Sequence, residues 1–349
     1  MPIQVGLAGF GISAQVFHAP FLAQMPEYNL HTVWERSGPK APEIYPGIRS
    51  VQGPKDLFEN KDLDLIVITT PNDTHVEFAQ RALNAGKNVV LEKPFTIHSE
   101  DAQKLEELAN EKGKILSPYQ NRRYAGDFRT IRQIIADGPL GRIHEFEAHY
   151  DRYRPEPKPN AWREEPGPGN GIFYDLGPHL IDQALCLFGM PESIYADLRK
   201  ERPHARAVDY FDVQLYYPGL KVILKGGMLV REPGPRYMVH GFEGSFIKYG
   251  EDPQEALLRA GEKPGGPEWG MEPPDQYGTL RTNELQIYPT LPGNYGIYYQ
   301  NLYETLKKGA PLKETPAHGY NTVRIIELAE ASNKAKARIA ATQLKDVRY

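Results

Sequence analysis

The chain has 349 residues, and 41 Lys and Arg oppose 45 Asp and Glu, which gives a formal net charge of −4. This length predicts about two domains, and the even charge balance argues against nucleic acid or an anionic membrane as a partner. The single cysteine, Cys186, excludes an intramolecular disulfide and a thiolate metal cluster. The sequence lacks a secretory signal pattern and an apolar run of about 18–20 residues, so a soluble, cytoplasmic protein is expected.

The first part of the chain alternates short apolar runs with helical patterns. Strands are predicted at residues 3–8, 30–35, 65–68, 88–92 and 114–118. Helices are predicted between them, and the strand at 65–68 is apolar throughout, as in a sheet that is covered on both faces. Strands and helices in series form right-handed crossovers, so an α/β domain with a doubly wound parallel sheet is expected over residues 1–121.

The pattern changes in residues 122–349, where a second, α+β domain is predicted. Residues 154–171 contain five prolines and three glycines, which is typical of a functional loop, and a helix follows at 173–188. Residues 251–294 are expected to be irregular, and helices at 295–308 and 317–341 complete the chain. Strands in hairpin succession favour a large, mainly antiparallel sheet. They are predicted at 142–153, 193–200, 208–217, 220–230, 236–241 and 245–250.

A glycine turn directly follows the first predicted strand. Residues 9–14 match the pattern G-x-G-x-x-G/A at the start of a helix. In this pattern the first glycine makes the turn, the second admits a pyrophosphate, and the helix N-terminus offers N–H donors. The turn therefore predicts a dinucleotide site with these contacts: Gly9, Phe10, Gly11, Ile12 and Ser13.

Several motifs occur in the order found in one family of enzymes. These are AGFG at 8–11, TTPNDTH at 69–75, AGKNVVLEKPF at 85–95 and DLGPH at 175–179. The chain resembles the Gfo/Idh/MocA oxidoreductases over nearly its whole length. PYQNRR at 118–123 and DRYRP at 151–155 are most similar to a bacterial and fungal subgroup that includes NADPH-linked scyllo-inositol dehydrogenases.

The resemblance implies a Rossmann domain followed by a domain whose open sheet covers the active site with one face. It implies that Lys93 contacts the nicotinamide ribose and the substrate, that His179 transfers the proton, and that Asp175 is its carboxylate partner. Arg122 is placed at the substrate pocket. Further cofactor contacts are expected at these positions: Thr70, Pro71, Asn72, His75, Glu92, Pro94 and Asn121.

The residues themselves agree with this assignment of the helix at 173–188. Asp175 and His179 are four residues apart and lie on one helix face. A carboxylate beside an imidazole favours the imidazolium that forms when a substrate hydroxyl loses its proton. The apolar positions form a separate stripe: Leu176, Leu180, Ala184 and Leu187.

The predicted function is NAD(P)-dependent hydride transfer between C4 of nicotinamide and a secondary alcohol of an inositol-like or hexose-like substrate. Tyr153, Trp162 and Arg163 are expected to line the substrate pocket because the Pro/Gly-rich loop should close over it. Two alternatives remain: a dinucleotide-binding regulator without turnover, and a reductase of another carbonyl or an imine. No metal site is predicted, since neither H-x-H nor H-E-x-x-H spacing occurs.

The choice of cofactor depends on the end of the second strand. Glu35 lies 21 residues after Ala14 and Arg36 lies 22 after it, so the spacing does not say which one faces the adenine ribose. Glu35 would favour NAD, whereas Arg36, Ser37 and Lys40 would bind a 2′-phosphate. With the likeness to NADPH-linked relatives, NADP is the expected cofactor and NAD remains possible.

A homodimer or a higher homo-oligomer is also expected. The predicted strands at 208–217 and 220–230 carry large apolar groups on both sides. A sheet that is apolar on both faces needs a second cover, and a second copy of the chain would supply it.

Overall fold

The computed structural model describes residues 1–36, 38–159 and 161–349. These residues form two compact units. The first consists of Met1–Tyr124, Pro253–Trp269 and Asn294–Tyr320, and the second of Ala125–Asp252, Gly270–Gly293 and Asn321–Tyr349. The two later segments of the first unit lie within residues 122–349, the range predicted for the second domain. They join the first unit because Tyr298 and Tyr299, from the second of these segments, are buried there and hydrogen-bond to Ser117 and His18.

The strands of the described chain are β1 Ile3–Ala8, β2 Tyr28–Trp34, β3 Arg49–Val51, β4 Leu65–Ile68, β5 Asn88–Leu91, β6 Leu116–Pro118, β7 Ile143–Asp151, β8 Ser193–Arg199, β9 Tyr210–Tyr217, β10 Leu220–Gly227, β11 Tyr237–Gly241, β12 Ser245–Lys248, β13 Gly278–Arg281, β14 Leu285–Tyr288 and β15 Ile339–Ala340. The helices are α1 Ala19–Gln24, α2 Ala41–Ile44, α3 Pro54–Phe58, α4 His75–Asn84, α5 Ser99–Lys112, α6 Gly126–Asp137, α7 Gly171–Phe188, α8 Gln254–Arg259, α9 Gly296–Lys308 and α10 Pro316–Ala335. A π-helical segment, Ala14–His18, precedes α1.

The first unit contains a parallel sheet in the order β3-β2-β1-β4-β5-β6. This is the order of a Rossmann fold, in which ligands bind at the carboxyl ends of the strands. All four residues of β4 are buried, as the apolar run predicted. The predicted fold class is therefore confirmed for the N-terminal sheet.

The second unit contains a mixed sheet in the order β14-β13-β12-β11-β7-β10-β9-β8-β15. Its pairs are antiparallel except β7 with β10, so the predicted mainly antiparallel sheet is confirmed. Helix α7 packs against β7, β9 and β10. The face that carries Phe211, Val213 and Leu215 is buried.

Two sequence expectations about residues 122–349 were wrong. Residues 251–294 are not irregular throughout, because α8 and the β13–β14 hairpin lie within them. The second face of the sheet is not generally apolar, since its central strands carry mainly polar side chains. On β7, β9 and β10 these are Glu147, His149, Asp212, Gln214 and Lys225.

In the described part of the chain, no helix combines the length and the apolar character that crossing a membrane requires.

Candidate active site

The glycine turn after β1 is crowded at its first glycine and open at its second. Gly9 has φ +97°, and a Cβ atom there would lie 3.2 Å from Thr69 Oγ1 and 3.3 Å from Thr70 Cγ2. Any side chain at position 9 would thus be strained and crowded. A Cβ atom on Gly11 would meet nothing within 4 Å, and the neighbouring Ile12 is 59% exposed. The turn therefore has room for the pyrophosphate of a dinucleotide, which fits the predicted site.

Glu92, directly after β5, holds three parts of the first unit together. Its Oε1 atom accepts hydrogen bonds from Ser13 Oγ and, at 2.9 Å, from His18 Nε2. Its Oε2 atom accepts a 2.8 Å hydrogen bond from the backbone N–H of Lys93. The carboxylate therefore joins the glycine turn, the π-helical segment and the loop that carries Lys93.

These contacts keep Glu92 ionised although it is buried. Burial alone would raise the pKa of the carboxyl group. The hydrogen bond and charge of His18, with the charge of Lys93 and the hydroxyl of Ser13, outweigh burial and lower the pKa to about 2. A buried carboxylate is thus present beside Lys93 at neutral pH.

His75 also supports the loop that carries Lys93, through a contact with Pro94. The side chain is fully buried, with Nδ1 2.9 Å from the carbonyl oxygen of Pro94 and Nε2 3.1 Å from that of Thr70. Burial lowers the pKa of His75. The imidazole lies beneath the surface, so its contacts favour support of the Thr70 and Pro94 loops over a direct contact with a cofactor.

Glu35 and Arg36, which the spacing could not distinguish, have different surroundings at the end of β2. Glu35 is 4% exposed, and its carboxylate accepts hydrogen bonds from the N–H groups of Lys40 at 2.9 Å and Ala41 at 3.1 Å, and from Ser50 Oγ at 2.9 Å. Arg36 and Lys40 are exposed. Ser37, a predicted cofactor contact, lies outside the described residues. The carboxylate of Glu35 is therefore engaged by the start of α2 and by β3.

Asn121 and Arg122 occupy a helical turn that follows β6, and both are buried. The guanidinium of Arg122 forms an ion pair with Glu255 and donates a 2.6 Å hydrogen bond to Tyr295 Oη. It also lies over the rings of Phe17 and Tyr295. These contacts hold Arg122 within the first unit, and its predicted contact with substrate stays a prediction.

In the second unit, α7 carries Asp175 and His179 one turn apart. Asp175 is half-buried, whereas His179 is buried beside Tyr150, with 6.5 Å between the ring centroids. On the sheet beneath, the guanidinium carbon of Arg236 lies 3.7 Å from the centroid of the Tyr150 ring. Tyr237 Oη donates a 2.9 Å hydrogen bond to Gln183, which is four residues after His179. His179 therefore lies beside Tyr150 of β7, and Tyr150 is in turn in contact with Arg236, the residue before β11.

The Pro/Gly-rich loop brings two predicted substrate residues to Asp175. Arg163 Nε lies 3.4 Å from Asp175 Oδ1, and the guanidinium carbon of Arg163 lies 4.4 Å from the centroid of the Trp162 ring. The third, Tyr153, bridges to Leu229 and accepts a hydrogen bond from Arg231. The structure thus groups Trp162 and Arg163 with Asp175, and places Tyr153 beside Arg231.

The loop is anchored by a buried ion network next to Arg163. Arg202 Nη2 lies 2.6 Å from Glu164 Oε2, and Arg202 Nε lies 2.8 Å from Asp209 Oδ2. Asp209 also accepts a 2.6 Å hydrogen bond from the N–H of Glu201. Because the side chains of Arg202 and Asp209 are almost fully buried, this network fixes the position of residues 162–164 on the second unit.

Sequence reasoning missed His18, Tyr150 and Arg236. None of them belongs to a spaced motif, and each looks like an ordinary helix or strand residue in the sequence. The described residues contain no group of three or more His, Cys, Asp and Glu side chains that could hold a metal ion.

Two family profiles match the chain over most of its length. The NAD-binding Rossmann fold of an oxidoreductase family matches residues 3–120, and the C-terminal alpha/beta domain of that family matches residues 132–340. The chain belongs to the Gfo/Idh/MocA oxidoreductase family. This family member is therefore an oxidoreductase with an NAD(P)-binding Rossmann domain.

Similarity to individual proteins and solved structures supports the same family assignment. This family member is 43% identical over 331 residues to the oxidoreductase YdgJ of Escherichia coli (strain K12), and the aligned residues cover 94% of each chain. It is 41% identical over 342 residues to scyllo-inositol 2-dehydrogenase (NADP(+)) IolW of Bacillus subtilis (strain 168). The aligned residues cover 97% of this chain and 95% of the relative. The solved structure of yvaA from Bacillus subtilis superimposes with a TM-score of 0.94 at 40% identity, covering 97% of this chain and 98% of that one.

The lowered pKa of Glu92 predicts a dependence of stability on pH. A carboxyl group whose pKa is lowered from 4.5 to about 2 in the folded state stabilises that state fully above pH 4.5. This contribution, on the order of 3 kcal/mol, is lost as the pH falls towards the folded value. In urea unfolding, the free-energy difference between wild type and Glu92→Gln should shrink between pH 6 and pH 3. The exposed Glu59→Gln is the control, and a difference that does not change with pH would contradict the assignment.

Proposed function

We propose that the protein catalyses hydride transfer between a nicotinamide dinucleotide, with NADP preferred, and a secondary alcohol or ketone of an uncharged polyol or sugar. The observation that carries this proposal is the support of Lys93 at the end of β5, where Glu92 and His75 fix the backbone on both sides of it. The similarity to the scyllo-inositol dehydrogenase IolW supports the class of substrate.

The residues at the strand ends of the first unit would hold the cofactor. The open turn at Gly11 would receive the pyrophosphate, and Thr70, Pro71 and Asn72 follow the adjacent strand β4. When bound, nicotinamide accepts or supplies the hydride. The protein contributes position and charge.

Three side chains have separate roles in the proposed reaction. His179 takes the proton of the substrate hydroxyl during oxidation, and Lys93 stabilises the developing alkoxide with its positive charge. Asp175 carries a negative charge one turn before His179 and stabilises the imidazolium. In the reverse direction His179 returns the proton to the alkoxide.

The loop around Trp162 supports an uncharged, hydroxylated substrate. The Trp162 ring offers an apolar face, and Arg163 and Asp175 offer hydrogen-bonding groups beside it. A polyol ring presents the same combination of apolar C–H faces and hydroxyl groups. We therefore include Trp162 and Arg163 among the substrate residues, with Tyr153 and Arg122 as further candidates.

Catalysis should depend on Lys93 and His179, whereas folding should not. Lys93→Met and His179→Ala should each lower kcat by about two to four powers of ten, the scale of a lost charge-stabilising or proton-transferring group. The assay follows NADPH absorbance with inositols and hexoses, and circular dichroism checks that the variants are folded.

NADPH binding by His179→Ala, measured by fluorescence, should remain close to that of wild type. Wild-type turnover by a pure His179→Ala preparation would exclude His179 as the base. Activity confined to 2-keto acids or to long apolar alcohols would contradict the proposed substrate class.

The position of Glu35 supports a preference for NADP. In NAD-dependent enzymes of this fold, a carboxylate at this strand end accepts hydrogen bonds from the ribose 2′-hydroxyl. Here the carboxylate is buried and already accepts three hydrogen bonds, from Lys40, Ala41 and Ser50. Arg36 is exposed at the same strand end, and its guanidinium suits a 2′-phosphate.

Arg36→Ala should therefore reduce the preference for NADP. We expect the ratio of kcat/KM for NADP to that for NAD to fall by about one to two powers of ten, as for the loss of a charge-assisted hydrogen bond. The matched control is Arg49→Ala, on β3, whose side chain is also exposed. A wild type that prefers NAD, or an Arg36→Ala variant with unchanged selectivity, would contradict this assignment.

We also propose that two copies of the chain associate through the polar face of the second sheet. This face carries charges of both signs, including Glu147, Asp212 and Lys225, with half-buried tyrosines at 210 and 216. A self-complementary pairing of such a face suits a two-fold dimer. Light scattering at micromolar concentration should give a multiple of 39.4 kDa, and a monomer mass would contradict the proposal.

A further inference from the structure

We propose that His18 is a positioning residue for hydride transfer, because it acts through Glu92 to hold the glycine turn and the backbone of Lys93 in a fixed relation. The proposal rests on the proposed function only in that it takes Lys93 as the catalytic lysine. His18 lies in the π-helical segment and belongs to none of the motifs that identified the site.

The carboxylate of Glu92 contacts the glycine turn, the π-helical segment and the backbone of Lys93. Residues 13 and 18 belong to the start of the first helical region, and residue 92 lies 74 positions after His18. Oε1 binds Ser13 and His18, whereas Oε2 binds the N–H of Lys93. A change in the orientation of Glu92 would therefore move the turn and the lysine backbone together.

Two tyrosine side chains, Tyr299 and Tyr119, contact the imidazole of His18. Its Nδ1 atom is 2.5 Å from Tyr299 Oη, and its ring centroid is 4.1 Å from that of Tyr119. Burial raises the pKa of Tyr299 well above its ordinary value, so the phenol keeps its proton and can donate it to Nδ1. Nε2 is the ring nitrogen of His18 that faces Glu92 and donates to its carboxylate.

Removal of His18 would leave a buried carboxylate with fewer donors. Burial would then oppose ionisation more strongly, and Glu92 would take up a proton at a higher pH. The charged or titratable groups around it are Lys93 from its own loop, His18 from the π-helical segment, Tyr119 after β6, Tyr299 from α9 and His75 from α4. A protonated Glu92 would lose its negative charge and turn one of its two oxygens into a donor, so its hydrogen bonds to Ser13 and to the Lys93 N–H would weaken or rearrange.

The first experiment uses the protein without cofactor. Urea unfolding between pH 6 and pH 3 compares wild type, His18→Ala and His18→Gln, since the Gln amide retains an N–H donor for Glu92. In His18→Ala the loss of stability between pH 6 and pH 3 should be smaller than in wild type, because a folded pKa of Glu92 closer to 4.5 leaves less of its contribution to lose, and His18→Gln should lie between them. His31→Ala, from half-buried His31 on β2, is the control and should lose as much stability between pH 6 and pH 3 as wild type does.

The second experiment measures NADPH binding by fluorescence and turnover with scyllo-inositol or myo-inositol and NADP. His18→Ala should weaken NADPH binding and lower kcat, each by about 10- to 100-fold, the range for loss of a hydrogen bond to a charged group. His18→Gln should recover most of both losses. Relative to wild type at each pH, the deficit in kcat of His18→Ala should grow from pH 8 to pH 5.5, which a general loss of structure would not produce.

A double-mutant cycle tests whether His18 acts through Glu92. The variant His18→Ala/Glu92→Gln should be no more than about threefold worse in kcat than the worse single variant, whereas independent effects would multiply. If His18→Ala does not fold, Tyr299→Phe removes only the hydroxyl at Nδ1 and should produce a smaller change in the same direction.

The proposal would be overturned by any of three results. These are wild-type acid stability and kcat in His18→Ala, equal losses in the Ala and Gln variants, and a multiplicative double mutant. If wild type turned over none of the polyols, the proposed function would fail, but the acid unfolding and NADPH binding would still test the role of His18.

Discussion

The carboxyl edge of the parallel sheet is the constraint on which the first unit depends. Strands β1, β2, β4 and β5 all end at this edge, because parallel strands run in one direction. Where a strand ends, its backbone no longer has a sheet partner, and the polar groups of the loops must be satisfied by other means. Here buried side chains satisfy them, and the same loops carry the cofactor and catalytic candidates.

Two buried glutamates meet this requirement in different ways. Glu35 accepts backbone N–H groups at the start of α2, which fixes the loop after β2 and engages its own carboxylate. Glu92 accepts groups from three separate segments and so connects the loops after β1 and β5. In both, hydrogen bonds from the partners offset the cost of burying the charge and fix the position of a loop.

The second unit fixes its site residues through one helix and one anchored loop. Helix α7 packs its apolar side on the sheet and carries Asp175 and His179 on successive turns. The loop before it is rich in proline and glycine, yet its end is held by Arg202 between Glu164 and Asp209. Arg163 is next to that anchor, which explains how a loop residue can hold a defined position beside Asp175.

The elements whose signals are local could be predicted from the sequence. The apolar run at β4, the turn at Gly9 and the Asp175–His179 spacing on α7 were predicted because periodicity and turn chemistry act within a few residues. Motifs likewise pointed to Lys93 and to a dinucleotide. Only the tertiary structure decided that Glu35 is buried under α2 and that the irregular segment after residue 251 supplies α8 and two strands. The contact between His18 and Glu92 could not be predicted from the sequence either. The partners of a buried charge are set by the packing of segments far apart in the chain, and no local pattern encodes that packing.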